Sequence, residues 1–285
     1  MSSRTTSSWG DIRHGVAVLI AGFIGSMAGF LAVVSVPIGI MTSPLESTFG
    51  WTRAEIGSLA LIAGVTLGFS GLFSGWLTDK FGPRLVVGIA TPLLTITILL
   101  MYFEASGGAD LNKMRLLYIL AGFFGSGTTP VVYGRAIAGR FSSGRGLALG
   151  LITLGGAVAT IGAPLLIGGV IVPKFGIATV YLSLAIISIL PLPFALAFFQ
   201  RKRELPASAT SAIPTLTGAA RLSVFRTRVF WQISIPFLLL ALCTAIINSQ
   251  SAPALVDRGL ELVAAAALIS GFGIGSVAGR LLSGL

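Results

Sequence analysis

The sequence predicts an all-α protein that spans a membrane, and three observations carry the prediction. The 285 residues are 54% hydrophobic and only 10% charged, against about 25% charged in soluble domains. Mean hydropathy is +0.95. The charges leave eight uncharged intervals, 15–45, 56–78, 85–103, 116–134, 146–173, 175–200, 229–256 and 262–279. Each reaches the ~18 residues that mark a membrane-spanning helix. Barrel strands would show ~10-residue segments of alternating polarity, a pattern this chain lacks. The composition excludes an ordinary soluble enzyme, a disordered tail and a disulfide scaffold.

Residues 1–14 form a short polar segment rich in Ser and Thr. The first apolar run, 15–41, is longer than the 7–15 residues of a signal-peptide core, so it reads as a retained span. Spans one to six follow one another through short connections and make a six-helix unit over 15–199. Residues 200–228 are basic at both ends and rich in Ser, Thr, Pro and Ala from Pro206 to Thr217, which predicts a linker. Spans seven and eight occupy 229–285. The one cysteine, Cys243, lies in an apolar run, where it is expected to pack inside. No Cys/His cluster exists to hold a metal.

Lys and Arg set the orientation. With residues 1–14 inside, the inner segments hold twelve cations and three acids, a net of +9. The outer segments hold five cations and six acids, a net of −1. Arg135 and Arg280, inside spans, complete the total of +10. The basic charge therefore follows topology: it marks the cytoplasmic face rather than a nucleic-acid surface, and the N-terminus is cytoplasmic. Residues 50–76 also align without gaps on 259–285, at an offset of 209. Gly50/Gly259, Leu59/Leu268, Gly64/Gly273, Leu72/Leu281, Ser74/Ser283 and Gly75/Gly284 are identical. Span eight reads as a second copy of span two, and repeats of this kind build some transporters.

The strongest local signal follows span two: Gly75-Trp-Leu-Thr-Asp79-Lys80-Phe-Gly82-Pro-Arg84. An acid sits at a helix end beside a Gly-Pro turn and two cations. Charges at a membrane edge are costly and want partners, so the cluster suits a switch that holds helices in one conformation. Gly75, Leu77, Asp79, Gly82 and Arg84 match Gly-x-Leu-x-Asp-x-x-Gly-x-Arg. On these residues the chain resembles the major facilitator superfamily. The resemblance implies a helix bundle of two six-helix halves, with this loop between helices two and three stabilising the outward-facing state. The second half here has only two helices, which implies an incomplete C-terminal domain over 229–285.

Three stretches resemble the bacterial branch that includes monocarboxylate transporters and oxalate–formate antiporters. They are Pro44-Leu45 with Phe49 to Ile56; Arg135, Ala138 and Phe141 with Arg145 to Gly150; and Asp257 to Leu260 with Gly279, Arg280 and Gly284. The branch moves small carboxylates, with a proton or against a counter-anion. The resemblance implies that Arg280 binds the substrate carboxylate, which a permanently charged, bidentate guanidinium suits. The acid that animal members carry four residues earlier is Ser276 here, and helix one has no lysine, so an acid–arginine proton relay does not carry over.

Other polar groups within spans complete the candidate substrate site. Thr128, Thr129 and Tyr133 belong to an irregular stretch of span four, where Pro130 is tolerated because polar groups re-satisfy the backbone. Asn248 and Gln250 flank Ser249 in the only amide cluster inside a span, and a broken helix there would present donors to an anion. Arg135 lines an inner vestibule, pairs with a neighbouring helix or snorkels to the interface. No Ser/His/Asp set, paired buried carboxylates or phosphate loop is present, so no catalytic residue and no cofactor is expected.

The sequence thus points to a monomeric, multi-pass transporter of small organic anions in the cytoplasmic membrane, partnered by lipid and not by nucleic acid. Two alternatives stay open. Gly162-Ala-Pro164-Leu-Leu-Ile-Gly168-Gly169 is similar to an exporter motif, with an inserted alanine and one extra residue after the proline. A truncated, non-transporting membrane fragment is the other.

Overall fold

The computed structural model describes residues 9–138, 145–199 and 227–283. Every regular element among them is helical. In chain order they are α1 (Trp9–Met27), α2 (Val36–Phe49), α3 (Arg53–Phe81), α4 (Pro83–Ser106), α5 (Leu111–Gly125), α6 (Pro130–Ala138), α7 (Arg145–Leu166), α8 (Val172–Ile189), α9 (Pro191–Phe198), α10 (Arg228–Asp257) and α11 (Leu262–Ser283). Most of the linker expected over 200–228 lies outside the described residues.

Local chemistry sets the boundaries. Thr52 and Glu55 form a capping box at the start of α3: the Glu55 carboxylate accepts the Thr52 N–H at 2.9 Å, and Thr52 Oγ1 accepts the Glu55 N–H at 3.3 Å. This satisfies donors that a helix start leaves open. Asp110 Oδ1 caps α5 through the N–H groups of Asn112 (2.7 Å) and Lys113 (3.2 Å). Gly50 (φ 69°) and Gly259 (φ 87°) close α2 and follow α10, in a left-handed region that glycine enters without penalty. These two glycines are paired in the sequence repeat, and the starts of α3 and α11 also lie 209 residues apart.

Among the described residues, seven helices are long and apolar enough to cross a membrane. One runs from Gly15 to Phe49 and is not uniform. The chain bends after Met27, then widens into a π segment, Leu31–Ser35, two residues ahead of Pro37. Proline has no N–H to give the carbonyl four residues back; here Val36 N–H bonds Leu31 O, five residues back. The same device recurs at Ile167–Ile171 ahead of Pro173, where Val172 N–H bonds Ile167 O. The fifth apolar helix runs 53 residues, Gly146–Phe198, where the sequence predicts two spans. Gly176 interrupts it with φ 80° and ψ 176°. Composition alone separates spans at Lys174; the backbone turns two residues later without leaving a loop.

The core lies between α2, α3, α4, α5 and α8, around Met41, Leu45, Ile56, Leu59, Leu94 and Met114. A second cluster joins α1, α6, α7 and α9 around Tyr133, Ile152 and Phe199. Large apolar side chains point outward, with Phe69 76% and Leu72 79% exposed, as a helix facing lipid requires. α11 packs on α7 and α10 on α2. α10 covers little else, and Cys243 is exposed rather than packed inside.

Candidate functional site

Polar groups gather at three levels of the bundle. The first is the end where α3 meets α4. Gly82 adopts φ 88°, its N–H bonds Thr78 O at 2.9 Å, and Pro83 begins α4 at once. Asp79, in the last turn of α3, accepts both guanidinium nitrogens of Arg135, which lies on α6. The Nη2–Oδ2 contact is 3.2 Å. Arg135 thus makes an ion pair with a neighbouring helix. Lys80 places its ammonium 4.9 Å from the Trp76 ring centroid and 5.3 Å from that of Phe81, within cation–π range. Arg84 is half-buried beyond the turn. A Cβ at Gly75 would meet no other atom within 4 Å, so this glycine leaves an open face on α3.

The second level is the opposite end of α3, about 39 Å away at 1.5 Å per residue. Arg53, the first residue of α3, stands between two carboxylates. Its Nε lies 3.2 Å from Glu46 on α2. Its two Nη atoms bond Asp257, the last residue of α10, with Nη2–Oδ1 at 2.6 Å. Sequence reasoning missed this triad. Its signal was available: Arg53 and Asp257 have opposite signs and fall on the same predicted side.

The third level lies between the ends. The irregularity expected around Gly127–Tyr133 is present: a 3₁₀ turn, Ser126–Thr128, then Thr129 extended at φ −92° and ψ 157° before Pro130 starts α6. It faces the bend of the first helix. Phe30 N–H donates to Thr128 Oγ1 at 3.1 Å, and Thr128 Oγ1 donates to Gly125 O at 2.9 Å. Gly29 rests against the Thr128 carbonyl, where a Cβ would collide. Thr129 Oγ1 donates to Ser126 O at 2.9 Å. From α3, the hydroxyls of Ser70 and Ser74 reach the carbonyls of Gly122 and Ser126, each at 3.3 Å. Two interrupted helices are thus stitched together through groups the interruptions free. Tyr133 is fully buried with its ring against Gly25. Its hydroxyl and those of Ser26 and Thr91 are buried without a hydrogen-bond partner among the described residues.

The remaining candidates lie on α10 and α11. α10 is continuous from Arg228 to Asp257, so the break expected at Asn248–Gln250 is absent. Pro253 removes only the hydrogen bond that would reach the Ser249 carbonyl. Asn248 is half-buried, and its backbone carbonyl closes on Gly39 of α2; Gln250 is exposed. Arg280 sits on α11, but its side chain lies outside what is described. A cavity of about 330 Å³ between α10 and α11 is lined by Ser251, Leu255, Arg258, Ile269 and Phe272 among others. Among the described side chains, no candidate substrate residue lines it.

A family model described as Major Facilitator Superfamily matches residues 18–285. Among solved structures, the chain is similar to the inward open conformation of the xylose transporter XylE from E. coli, with TM-score 0.56 and 14% identity over 74% of this chain and 55% of that one. It is similar to a D-xylose-proton symporter, with TM-score 0.64 and 14% identity over 92% and 66%. It also resembles the peptide transporter POT in complex with alafosfalin, with TM-score 0.52 and 17% identity over 82% and 47%. At these identities the likeness shows the fold. The chain spans less than two thirds of the length of each. No curated protein matches it.

Proposed function

The chain belongs to the Major Facilitator Superfamily, and on that premise we propose that it serves a secondary transporter of small organic anions working by alternating access. The 53-residue helix would measure about 80 Å if straight, against a hydrocarbon core of ~30 Å. The joint at Gly176 therefore separates two crossings, and the chain crosses eight times. The Lys/Arg asymmetry puts residues 1–14, the Asp79 end and the 200–228 linker in the cytoplasm, and the Arg53 end outside. A six-helix domain over 15–199 then meets the first two helices of a second domain over 229–285.

The observation that carries the substrate class is the level of Arg280. The repeat places it opposite Gly71, and Gly71 lies between Ser70 and Ser74, which bond the carbonyls at the break before α6. The level is about 12 Å inside the Asp79 end. Arg135 is paired with Asp79; for Arg280, the supporting chemistry is that a guanidinium binds a carboxylate through two parallel hydrogen bonds. Thr128 and Thr129 brace the break, Tyr133 supplies a buried hydroxyl beside it, and Asn248 and Gln250 line the approach from α10. Asp79 with Arg135 ties α3 to α6, so that Gly75, Lys80, Gly82 and Arg84 move with one body as the cytoplasmic switch. A proton or an exchanged anion balances the charge moved.

Uptake of radiolabelled small carboxylates into proteoliposomes tests the reading. Arg280→Ala is expected to abolish uptake and Arg280→Lys to retain part of it. Uptake unchanged by Arg280→Ala refutes the assignment.

A further inference from the structure

The Arg53 end holds an arrangement that the substrate and switch roles do not use. One guanidinium serves two carboxylates from different parts of the chain. Glu46 precedes Arg53 by seven residues and meets its Nε edge. Asp257 follows by 204 residues and meets its Nη edge with both oxygens. The planar fork of arginine makes the two edges usable at once. Glu55, the nearest acid on the same helix, is engaged with the backbone and hydroxyl of Thr52, so it does not compete. Among the described residues, the Asp257 contact is the ion pair that joins the first part of the chain to α10, which otherwise packs on α2 through backbone and apolar groups. Arg258, the next cation at this end, is exposed and lines the groove between α10 and α11.

We infer that Arg53 is the shared arm of an asymmetric latch, with Asp257 the partner that detaches and Glu46 the partner that stays. The inference rests on the alternating-access reading. When α10 swings away from α2 and α3, Asp257 passes to water and Arg53 keeps Glu46. Opening therefore never leaves a lone cation at the membrane edge, where it would be costly. The side chains are 40–48% exposed, so the latch is screened by salt and biases an equilibrium without locking it. The two carboxylates then act in opposite directions. Without Asp257 the closed end loses the ionic tie that the described residues make across the parts. Without Glu46 the closed state keeps its tie, while the open state strands Arg53.

The test uses the full chain in liposomes, in a Cys243→Ser background. Spin labels are placed at Thr48 and Val263, both exposed at this end, and distance distributions are recorded by pulsed EPR at low and high salt. Asp257→Asn is expected to raise the longer-distance population about 1.5- to 5-fold, the range that exposed pairs support. Glu46→Gln is expected to lower it, and high salt to shrink both effects. Shifts of the same sign in the two variants, or a shift in neither while two populations persist, overturn the latch alone. A single population in every variant and condition overturns the latch together with the alternating-access reading.

Discussion

Replacing Gly39 with alanine asks whether the closeness of α2 and α10 belongs to one conformation. A Cβ there would overlap the Asn248 carbonyl oxygen, and would stand 3.0 Å from its carbon and 3.2 Å from Ser249 Cα. All are backbone atoms, so no rotamer relieves the clash. The oxygen overlap is the worst of the three: a carbon–oxygen contact needs about 3.3 Å, so the helices must part by more than about 1 Å. Forcing extra volume into a packed contact costs about 1–3 kcal/mol. At 1.4 kcal/mol per decade, the conformation with α2 on α10 loses about 5- to 150-fold against any conformation in which they separate. The Thr48/Val263 label pair reads this as growth of the longer distance. Gly57→Ala is the control, because a Cβ at Gly57 meets nothing within 4 Å. If Gly39→Ala lowers the melting temperature but leaves the distances as in Gly57→Ala, the contact is a fixed part of the fold and the argument fails.

Three further outcomes are expected. Thr128→Val removes the acceptor of the buried Phe30 N–H and should cost about 1–3 kcal/mol, seen as a lower melting temperature in detergent, while Thr128→Ser should stay near the parent. Asp79→Asn and Arg135→Gln should each weaken the hold of α6 on α3. In an unfolding double-mutant cycle the coupling should be about 0.2–1 kcal/mol, since both side chains are partly exposed; a coupling of zero removes the pair from the account. Thr52→Ala dismantles the capping box and should cost about 0.5–2 kcal/mol, with faster amide exchange confined to the first turn of α3.

Charge spacing made the spans readable, because charge is what a bilayer excludes most strongly. The break near Gly127–Tyr133 was also readable, since Gly-Thr-Thr-Pro removes helical preference and a donor within four residues. The bend after Met27 was not: no proline stands there, and it depends on Thr128, 98 residues away, accepting the Phe30 N–H. The break expected at Asn248–Gln250 failed for the converse reason. Polar side chains lower helix propensity only slightly, and α10 keeps its backbone bonds around them. Within spans the sequence does not say which face is which, because lipid-facing and core-facing positions are both apolar. The pairings Asp79–Arg135 and Arg53–Asp257 depend on helix facing, so their members were visible while their bonds were not. The fate of Cys243 shows the same ambiguity, buried and lipid-exposed surroundings being equally apolar.

The two π segments have a mechanical meaning. Leu31–Ser35 lies just ahead of α2, on which α10 packs, and Ile167–Ile171 touches α11, with Gly168 against Ala266. At both places a proline, Pro37 or Pro173, leaves one α-type bond unmade, and the wider five-back bonds of Val36 and Val172 hold the turn instead. On the alternating-access reading, the two widened turns lie in or beside the walls against which the last two helices rest, and they lend those walls part of their compliance. On that reading, a substitution that straightens either turn stiffens the contact without touching a charge or a substrate group.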